Sequence, residues 1–456
     1  MQHIAQAPNY TEHTIAIIGY GVTGKACARF LLNKGVSLTV YDSEAILTDC
    51  DEHDDRVTFK PLHASTNLLT YSMVIVSPGV NLQQDFIQQY HASGKRVISD
   101  IELFALENDA SVIAVTGSNG KSTVVDMLSK VIQSAGLKVG LGGNFGRPAL
   151  SMLDHNYDVV ILELSSFQLE STYHLYPLIS CVLNVTPDHM DRHGCMENYA
   201  KAKQSIYSGA MHRIFNRDDA LSYPLDLQHE HTHSIGLHKP TLSRGQKENH
   251  HCYQNNDGVF INNQLVLHAA NFEHQNQYQL LNMQVVLICM QILHISPSQV
   301  LSVLYQYEGL AHRFQMVRKE PFCCWINDSK ATNPGAAIAA IENAAKRHDA
   351  IVLIAGGDGK GANMDTLLNS IENNVQHLVL IGKDAHLFTD LSVSYELAST
   401  MAQAVEAANQ YASRLISQHI NTAILLAPAC ASIDMFANYQ DRGQQFTDAV
   451  LEVSAS

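Results

Sequence analysis

Residues 111–135 read SVIAVTGSNGKSTVVDMLSKVIQSA. The β-branched apolar run 112–116 predicts a buried strand, and Gly117-Ser118-Asn119-Gly120 makes a tight Gly-bounded turn. Lys121-Ser122-Thr123 then opens an amphipathic helix with Val124, Met127, Leu128, Val131 and Ile132 on one face. Strand, glycine loop, lysine, hydroxyl and helix together form a phosphate-binding arrangement. Loop and helix-start N–H groups can point at phosphate oxygens, Lys121 adds a mobile positive charge, and Ser122 or Thr123 can hold Mg²⁺. The common G-x-x-x-x-G-K-[ST] spacing fails, because Val115 stands where its first glycine belongs, and the shorter T-G-x-x-G-K-[ST]-T form is present instead. A nucleotide triphosphate site is the reading; a surface turn that carries a lysine is the bland alternative.

Upstream, a short strand at 14–19 runs into Gly19-Tyr20-Gly21-Val22-Thr23-Gly24, a G-x-G-x-x-G loop before a helix. A second strand, 37–41, ends on Asp42, where a nicotinamide-binding fold would hold a ribose. The loop suits the diphosphate of a dinucleotide or of a nucleotide sugar equally. Further βα units follow: a strand at 73–77 ending in Ser77-Pro78-Gly79, a helix from residue 82, and a strand at 96–99. The first domain should close near Asp100.

Downstream of the P-loop helix, 140–146 is glycine-rich and reads as a flexible loop whose Asn144 amide either donates to a ligand or makes a turn. A strand at 158–162 ends on Glu163, and another at 179–185 leads to Asp188-His189. Ligands sit at the carboxyl ends of parallel strands, so these groups fall beside the P-loop if all three strands are parallel neighbours. Lys201 and Lys203 lie on a helix at 197–207. Between 227 and 258 the pattern dissolves into Gln, Asn and His. His229, His231 and His233 would share one strand face, which admits zinc, but a solvated strand and loop account for them better. A hairpin turns at Asn262-Asn263, a helix covers 280–293, and Ser296-Pro297 should cap another by a hydroxyl and an N1 proline.

The third domain opens at Gly309. Four strands each end in a polar or glycine-rich loop: Asn327-Asp328-Ser329-Lys330, Gly356-Gly357-Asp358-Gly359-Lys360-Gly361, Gly382-Lys383 and Ala427-Pro428-Ala429-Cys430-Ala431-Ser432. That is the binding edge of a doubly wound parallel sheet, and Lys330 and Lys360 there suit anions.

Composition narrows the class. Over 456 residues, 44 acidic against 29 basic side chains give a formal charge of −15, which excludes holding a nucleic-acid backbone by bulk charge. Any anionic ligand must be met by local cations. Nine cysteines without a C-x-x-C pair argue against a disulfide framework and fit a reducing cytoplasm. The amino end lacks the basic-then-apolar pattern of a signal peptide, and no apolar run is long enough to span a membrane. The expected fold is therefore α/β in three domains: a Rossmann-like domain at 1–100, a central P-loop ATPase-like domain at 101–309 and a doubly wound Rossmann-like domain at 310–456.

These blocks, with ELSSFQLE from Glu163, NVTPDHMDRH from Asn184, His312-Arg313-Phe314, NDSKATN from Asn327 and PACASID from Pro428, resemble the Mur ligase family in the right order across the chain. The resemblance implies ATP-dependent amide synthesis in peptidoglycan precursor assembly. ATP would phosphorylate the carboxylate of UDP-N-acetylmuramoyl-L-alanine, and the amine of D-glutamate would attack the acyl phosphate. The same correspondence assigns Gly21, Val22, Thr23, Asp42, Ser43, Ser77 and Asn144 to the UDP substrate, with His189 beside its muramoyl-alanine part. It gives Gly117, Ser118, Asn119, Gly120, Lys121, Ser122, Thr123, Asn282, Arg313 and Asp328 to ATP, and Thr332, Lys360, Ser432 and Tyr439 to D-glutamate. Lys121, His189, Lys203 and Lys330 would be catalytic. Ser122, Glu163, His189 and Lys203, the last as a carbamate, would hold two Mg²⁺ ions. The implied protein is a cytoplasmic monomer with small-molecule partners only. Departures are the adenine-contact segment Tyr278-Gln279-Leu280-Leu281-Asn282, which keeps only Asn282, a Tyr439 where Phe is common, and residues 228–256, which match nothing.

Rival readings are an amide ligase acting on another acceptor such as a folate, a dinucleotide-dependent oxidoreductase, and a non-catalytic nucleotide-binding module. The glycine loop ahead of the P-loop disfavours the first. The second leaves the P-loop, Glu163 and the third domain without work, and substitution of Lys121 separates the last. Hinges near Asp100 and Gly309 are expected, to bring substrates together.

Overall fold

The computed structural model describes residues 7–43, 54–227, 229–240, 249–271, 277–307 and 309–453. Residues 1–6 of the amino end, and Gln228 and 241–248 of the His-rich segment, lie outside the described residues. The chain divides into two compact units, residues 1–185 with 197–307, and residues 186–196 with 308–456.

The first unit contains two parallel sheets. In the amino-terminal one the strands run Val57–Pro61, Leu38–Asp42, Ile15–Ile18, Met73–Val76 and Val97–Ile98 across the sheet. Chain order reverses between Ile15–Ile18 and Met73–Val76, and the G-x-G-x-x-G loop lies at that switch point. Glycine is obligatory at Gly24, where a Cβ would lie 1.9 Å from the carbonyl oxygen of Gly19. The helix expected from residue 82 begins at Asp85, after a turn in which Asn81 accepts from the Gln83 amide.

The central sheet orders its strands Thr232–Ile235, His212–Asn216, Ile179–Val182, Ser111–Thr116, Val159–Glu163 and Val139–Gly143, all parallel. The P-loop strand thus lies between the strands that end at Glu163 and Val182, the neighbour relation anticipated from sequence. Residues 140–143, expected as loop, belong to an edge strand. Helix Lys121–Ser134 buries the five expected side chains and also Val125, because it is sandwiched between the sheet and helices Gln277–Ile292 and Pro297–Tyr305. Each such buried aliphatic contributes roughly 1.5–3 kcal/mol. Ser296 flanks the last helix but makes no capping bond, and its hydroxyl pairs with Ser298 instead. The hairpin Gly258–Ile261/Gln264–His268 turns at Asn262 and Asn263, both with positive φ as a type I′ turn requires.

Asp100, where a hinge was expected, opens helix Asp100–Glu107 inside this unit. Ser99 caps the helix, its amide donates to Ser171, and Glu102 accepts from the Tyr173 and His174 amides at 2.6 and 2.9 Å. The amino-terminal sheet is thereby laced to the central one.

The second unit holds one sheet, ordered Gln315–Glu320, Cys323–Asn327, Thr422–Leu426, Ala350–Gly356, His377–Ile381 and Ser394–Leu397. Only Gln315–Glu320 is antiparallel. The parallel strands are buried on both faces at the centre, beneath helices Pro334–Ala345, Asp365–Asn374, Met401–Ile416 and Tyr439–Glu452. Among the described residues, no helix is long and apolar enough to cross a membrane.

Candidate active site

The phosphate loop is built by its neighbours as much as by its glycines. Asn184, two residues past the strand Ile179–Val182, clamps it: the Asn184 carbonyl accepts from the Ser118 amide (2.9 Å), its Oδ1 from the Asn119 amide (2.8 Å), and its Nδ2 donates to the Asn119 carbonyl (3.0 Å). Gly120 has φ +86° at the helix start, where no side chain caps the helix. The amides of a helix start are a natural seat for phosphate oxygens. A Cβ at Gly120 would lie 2.7 Å from Asn282 Oδ1, so the residue of the 278–282 segment that keeps the family pattern does reach the loop.

Lys121 Nζ donates to the carbonyls of Gly117 and Ser118 at 2.8 and 2.9 Å. Lys203, buried, reaches the same Gly117 carbonyl at 3.0 Å and lies over the Tyr199 ring at 4.4 Å. Ser118 Oγ in turn donates to the Tyr199 hydroxyl at 3.1 Å. Tyr199 and Lys203 are four apart on helix Met196–Gln204, hence on one face, a spacing from which Tyr199 could have been inferred.

Glu163 is buried, and both its oxygens are engaged: Oε2 accepts from Ser122 Oγ at 2.5 Å, and Oε1 from Asn144 Nδ2 at 2.7 Å. Asn144, expected to face a ligand or make a turn, here orients the carboxylate. Hydroxyl and carboxylate oxygens at the end of the P-loop strand's neighbour form a hard donor pair, which suits Mg²⁺. Of the four expected metal ligands, Ser122, Glu163 and Lys203 lie in the first unit. His189, at φ +55°, lies in the second, 3.8 Å from an oxygen of Asp188. An ammonium that donates to a carbonyl is not a ligand, so Lys203 would coordinate only after modification.

At the amino-terminal switch point, Ser77 Oγ donates to the Gly19 carbonyl at 2.7 Å. Asp42 accepts from the Tyr20 amide at 2.5 Å and the Ser43 amide at 2.6 Å. The carboxylate expected at a ribose in a nicotinamide-binding fold here ties the glycine loop to the second strand. Gly21 N-caps helix Val22–Asn33 without a side-chain bond, Val22 is 76 % exposed and Thr23 half-buried beside it.

In the second unit three loops at the carboxyl edge of the sheet are laced together. The Ala429 amide donates to the Ala331 carbonyl at 2.8 Å, and Asp358 and Ala431 exchange backbone bonds at 3.0 and 2.8 Å. Thr332, Lys360 and Ser432 are thus gathered on one edge, with Tyr439 beneath Lys330, whose Nζ lies 4.3 Å from the ring centre. Burial pushes the Asp328 carboxyl up to about 7, opposed by the Phe314 backbone bond and the nearby Arg313 guanidinium.

The His-rich segment forms no metal centre among the described residues. Only His233 of the expected trio lies in a strand, Thr232–Ile235, and it is buried. It sits instead among His212, His250 and His251.

Three family models match the chain in succession. Residues 13–99 match the Mur ligase MurD-like amino-terminal domain, 115–290 the Mur ligase middle domain, and 312–430 the Mur ligase glutamate ligase domain. A UDP-N-acetylmuramoylalanine–D-glutamate ligase of Saccharophagus degradans is 38% identical over 457 residues, covering 98% of this chain and 99% of that protein. The chain belongs to the Mur ligase family. A Mur ligase of the same name from Haemophilus ducreyi is also 38% identical, over 96% of this chain and 97% of its own. Among solved structures, the Mur ligase UDP-N-acetylmuramate-alanine ligase of Thermotoga maritima matches with TM-score 0.57 at 16% identity, over 96% of this chain and 98% of that one. A pseudomurein peptide ligase type C from Methanothermus fervidus gives TM-score 0.58 at 15% identity, over 91% and 97%. At such identities the two structures speak for the Mur ligase fold alone.

Proposed function

We propose that this Mur ligase joins D-glutamate to UDP-N-acetylmuramoyl-L-alanine at the expense of ATP, in peptidoglycan precursor synthesis. The observation that carries the reading is the Lys121 loop with its Ser122–Glu163 pair, in a chain similar over nearly its full length to ligases of that name. Residues 1–100 would hold the UDP substrate at the Gly19–Gly24 loop, 101–309 the ATP phosphates, and 310–456 D-glutamate at Thr332, Lys360, Ser432 and Tyr439.

A carboxylate is a poor electrophile because its charge is delocalised and oxide is a poor leaving group. Transfer of the terminal phosphoryl group of ATP to a carboxylate oxygen makes an acyl phosphate. The amine of D-glutamate then forms the C–N bond, the C–O bond to phosphate breaks, and the amine loses its proton. Lys121 and the loop amides would meet the charge that develops on the moving phosphoryl group; such a donor is worth about 10²–10³ in rate. Ser122 and Glu163 would hold Mg²⁺, which supplies charge neutralisation at the phosphates. Arg313 and Asp328 would take the ribose, and Lys330 the phosphate being transferred.

Phosphate release from ATP, measured with UDP-N-acetylmuramoyl-L-alanine against D- and L-amino acids, tests the reading. Turnover is expected with D-glutamate alone of the panel. Turnover with another amino acid, or with D-glutamate and an unrelated acceptor, would refute it.

A further inference from the structure

One charged group near the second unit's site is left unused by that reading. Arg442, on helix Tyr439–Glu452, is fully buried. Its Nε donates to Ser329 Oγ at 3.0 Å, its Nη2 to the Ser329 carbonyl at 2.8 Å, and its Nη1 to the Cys430 carbonyl at 3.1 Å. Ser329 stands between Asp328 and Lys330. Cys430 lies in the loop that ends at Ser432. A single guanidinium therefore fastens both loops whose residues are assigned to ribose, phosphate and D-glutamate. Ser329 completes the fastening, its hydroxyl donating to the Tyr439 carbonyl at 2.8 Å, directly below the Lys330–Tyr439 stack.

The choice of residue is informative. Among the described residues no carboxylate lies within ion-pair distance of Arg442, and the Asp434 carboxylate offsets only part of the cost of burying its charge, which lowers its pKa to about 10. A neutral residue could plug the same space without that cost. Arginine alone offers five N–H donors on three nitrogens in a rigid plane that reaches two loops at once, and its charge stays beside loops assigned to D-glutamate and a phosphoryl group.

We infer that Arg442 is a positioning residue of the ligation step, which holds the Asp328–Thr332 and Ala427–Ser432 loops in register for D-glutamate. The inference rests on the ligase reading above. Lysine at this position keeps the charge but can satisfy only one loop well, so Arg442→Lys separates positioning from bulk charge. The unique tryptophan, Trp325, gives an internal control for folding. It lies in the same unit, and its ring stands 6.3 Å from that of Phe446 on the Arg442 helix.

The experiment measures steady-state kinetics of Arg442→Lys and Ser329→Ala, with the folded fraction taken from Trp325 fluorescence and activities corrected for it. The expected result is a KM for D-glutamate raised at least tenfold in Arg442→Lys, and less in Ser329→Ala. The KM for the UDP substrate, whose assigned residues lie in the first unit, stays within twofold. An unchanged D-glutamate KM, with activity lost only in proportion to the folded fraction, would make Arg442 merely structural and overturn the inference. If Arg442→Lys does not fold, Ser329→Ala decides alone, by the same D-glutamate KM. Wild-type protein that fails to use D-glutamate at all would instead refute the ligase reading, so the two failures are distinct.

Discussion

In the first unit the strand Cys252–Asn255 pairs antiparallel with the hairpin Gly258–Ile261/Gln264–His268 in a small three-stranded sheet, and acid should open this sheet before it disturbs the rest of that unit, for a reason that lies in proton placement. The His250 amide donates to His233 Nδ1 at 2.9 Å, so that nitrogen must carry a lone pair, and neutral His233 keeps its proton on Nε2. That N–H faces His212 Nδ1 at 3.1 Å, which must be an acceptor too. Arg217 Nη1 donates to Ser234 Oγ at 2.7 Å, and His251 Nδ1 shares that hydroxyl at 2.7 Å, with the guanidinium charge close by. Two imidazoles, His233 and His212, are thus held neutral by donors already in place, and His251 by burial beside Arg217. Burial first, then neighbouring histidines and, for His251, Arg217, push His233 down to about 3 and His212 and His251 to about 4. The groups acting on His233 are His250, His212, His251 and His231, with no carboxylate among them.

The unfolded chain binds protons at these rings from about pH 6.5 downward while the folded chain does not, so stability falls as pH falls. Between pH 7.5 and 5.5 each ring costs about 1.4 kcal/mol. The rings share neighbours and take up protons in sequence, so about 4 kcal/mol is the ceiling for three. Hydrogen exchange at the amides of Cys252–Asn255, corrected for the intrinsic pH effect, reads this directly, because Ser234 and His251 bridge that strand to the central sheet. Protection should drop by at least tenfold over that interval. In His233→Leu the drop should be about tenfold smaller, whatever the variant's absolute stability. Equal pH slopes in the two proteins would refute the reasoning.

Lys203→Ala should abolish turnover, and small carboxylates such as formate should restore part of it if the working form is a carbamate; full activity in the unmodified variant would exclude any role. Asn184→Ala removes two bonds that set the phosphate loop, worth about 1–3 kcal/mol, and should raise the ATP KM at least tenfold while leaving the D-glutamate KM in place. Cys324 lies 3.2 Å from His348 Nε2, a nucleophile-and-base spacing, yet burial pushes its thiol up to about 11. Iodoacetamide on the native protein should therefore label Cys195, the exposed one among the described cysteines, and spare Cys324, as peptide mapping would reveal.

What could be read from sequence follows from how burial writes itself into the chain. Strands covered on both faces, such as Ser111–Thr116, Val159–Glu163 and Ala350–Gly356, are continuous apolar runs and stand out. Edge strands do not: Val57–Pro61 and Gln315–Glu320 alternate between half-buried and exposed, Ser394–Leu397 is exposed throughout, and Val139–Gly143 is mostly glycine. Each needs its partner strand before its pattern has meaning. The site divides in the same way. Lys121, Ser122 and Glu163 announce themselves through local spacing and strand ends, whereas Asn184 and Arg442 act on groups 65 and 113 residues away. Ser296 shows the opposite error, a cap signature without a cap bond.

The acidity of the chain sharpens the role of those distant contacts. With a formal charge of −15, the protein as a whole repels the anions it is proposed to join, but screening confines that repulsion to about 8 Å at physiological salt. What a bound phosphate or carboxylate feels is set by the cations within its own pocket. Lys121 rests on the carbonyls of Gly117 and Ser118, and Arg442 on the carbonyls of Ser329 and Cys430. A carbonyl fixes a cation in place without cancelling its charge, as a carboxylate would. Each pocket therefore keeps a positive field while its loop is held still, and the field needs no rearrangement when charge develops on the reacting atoms.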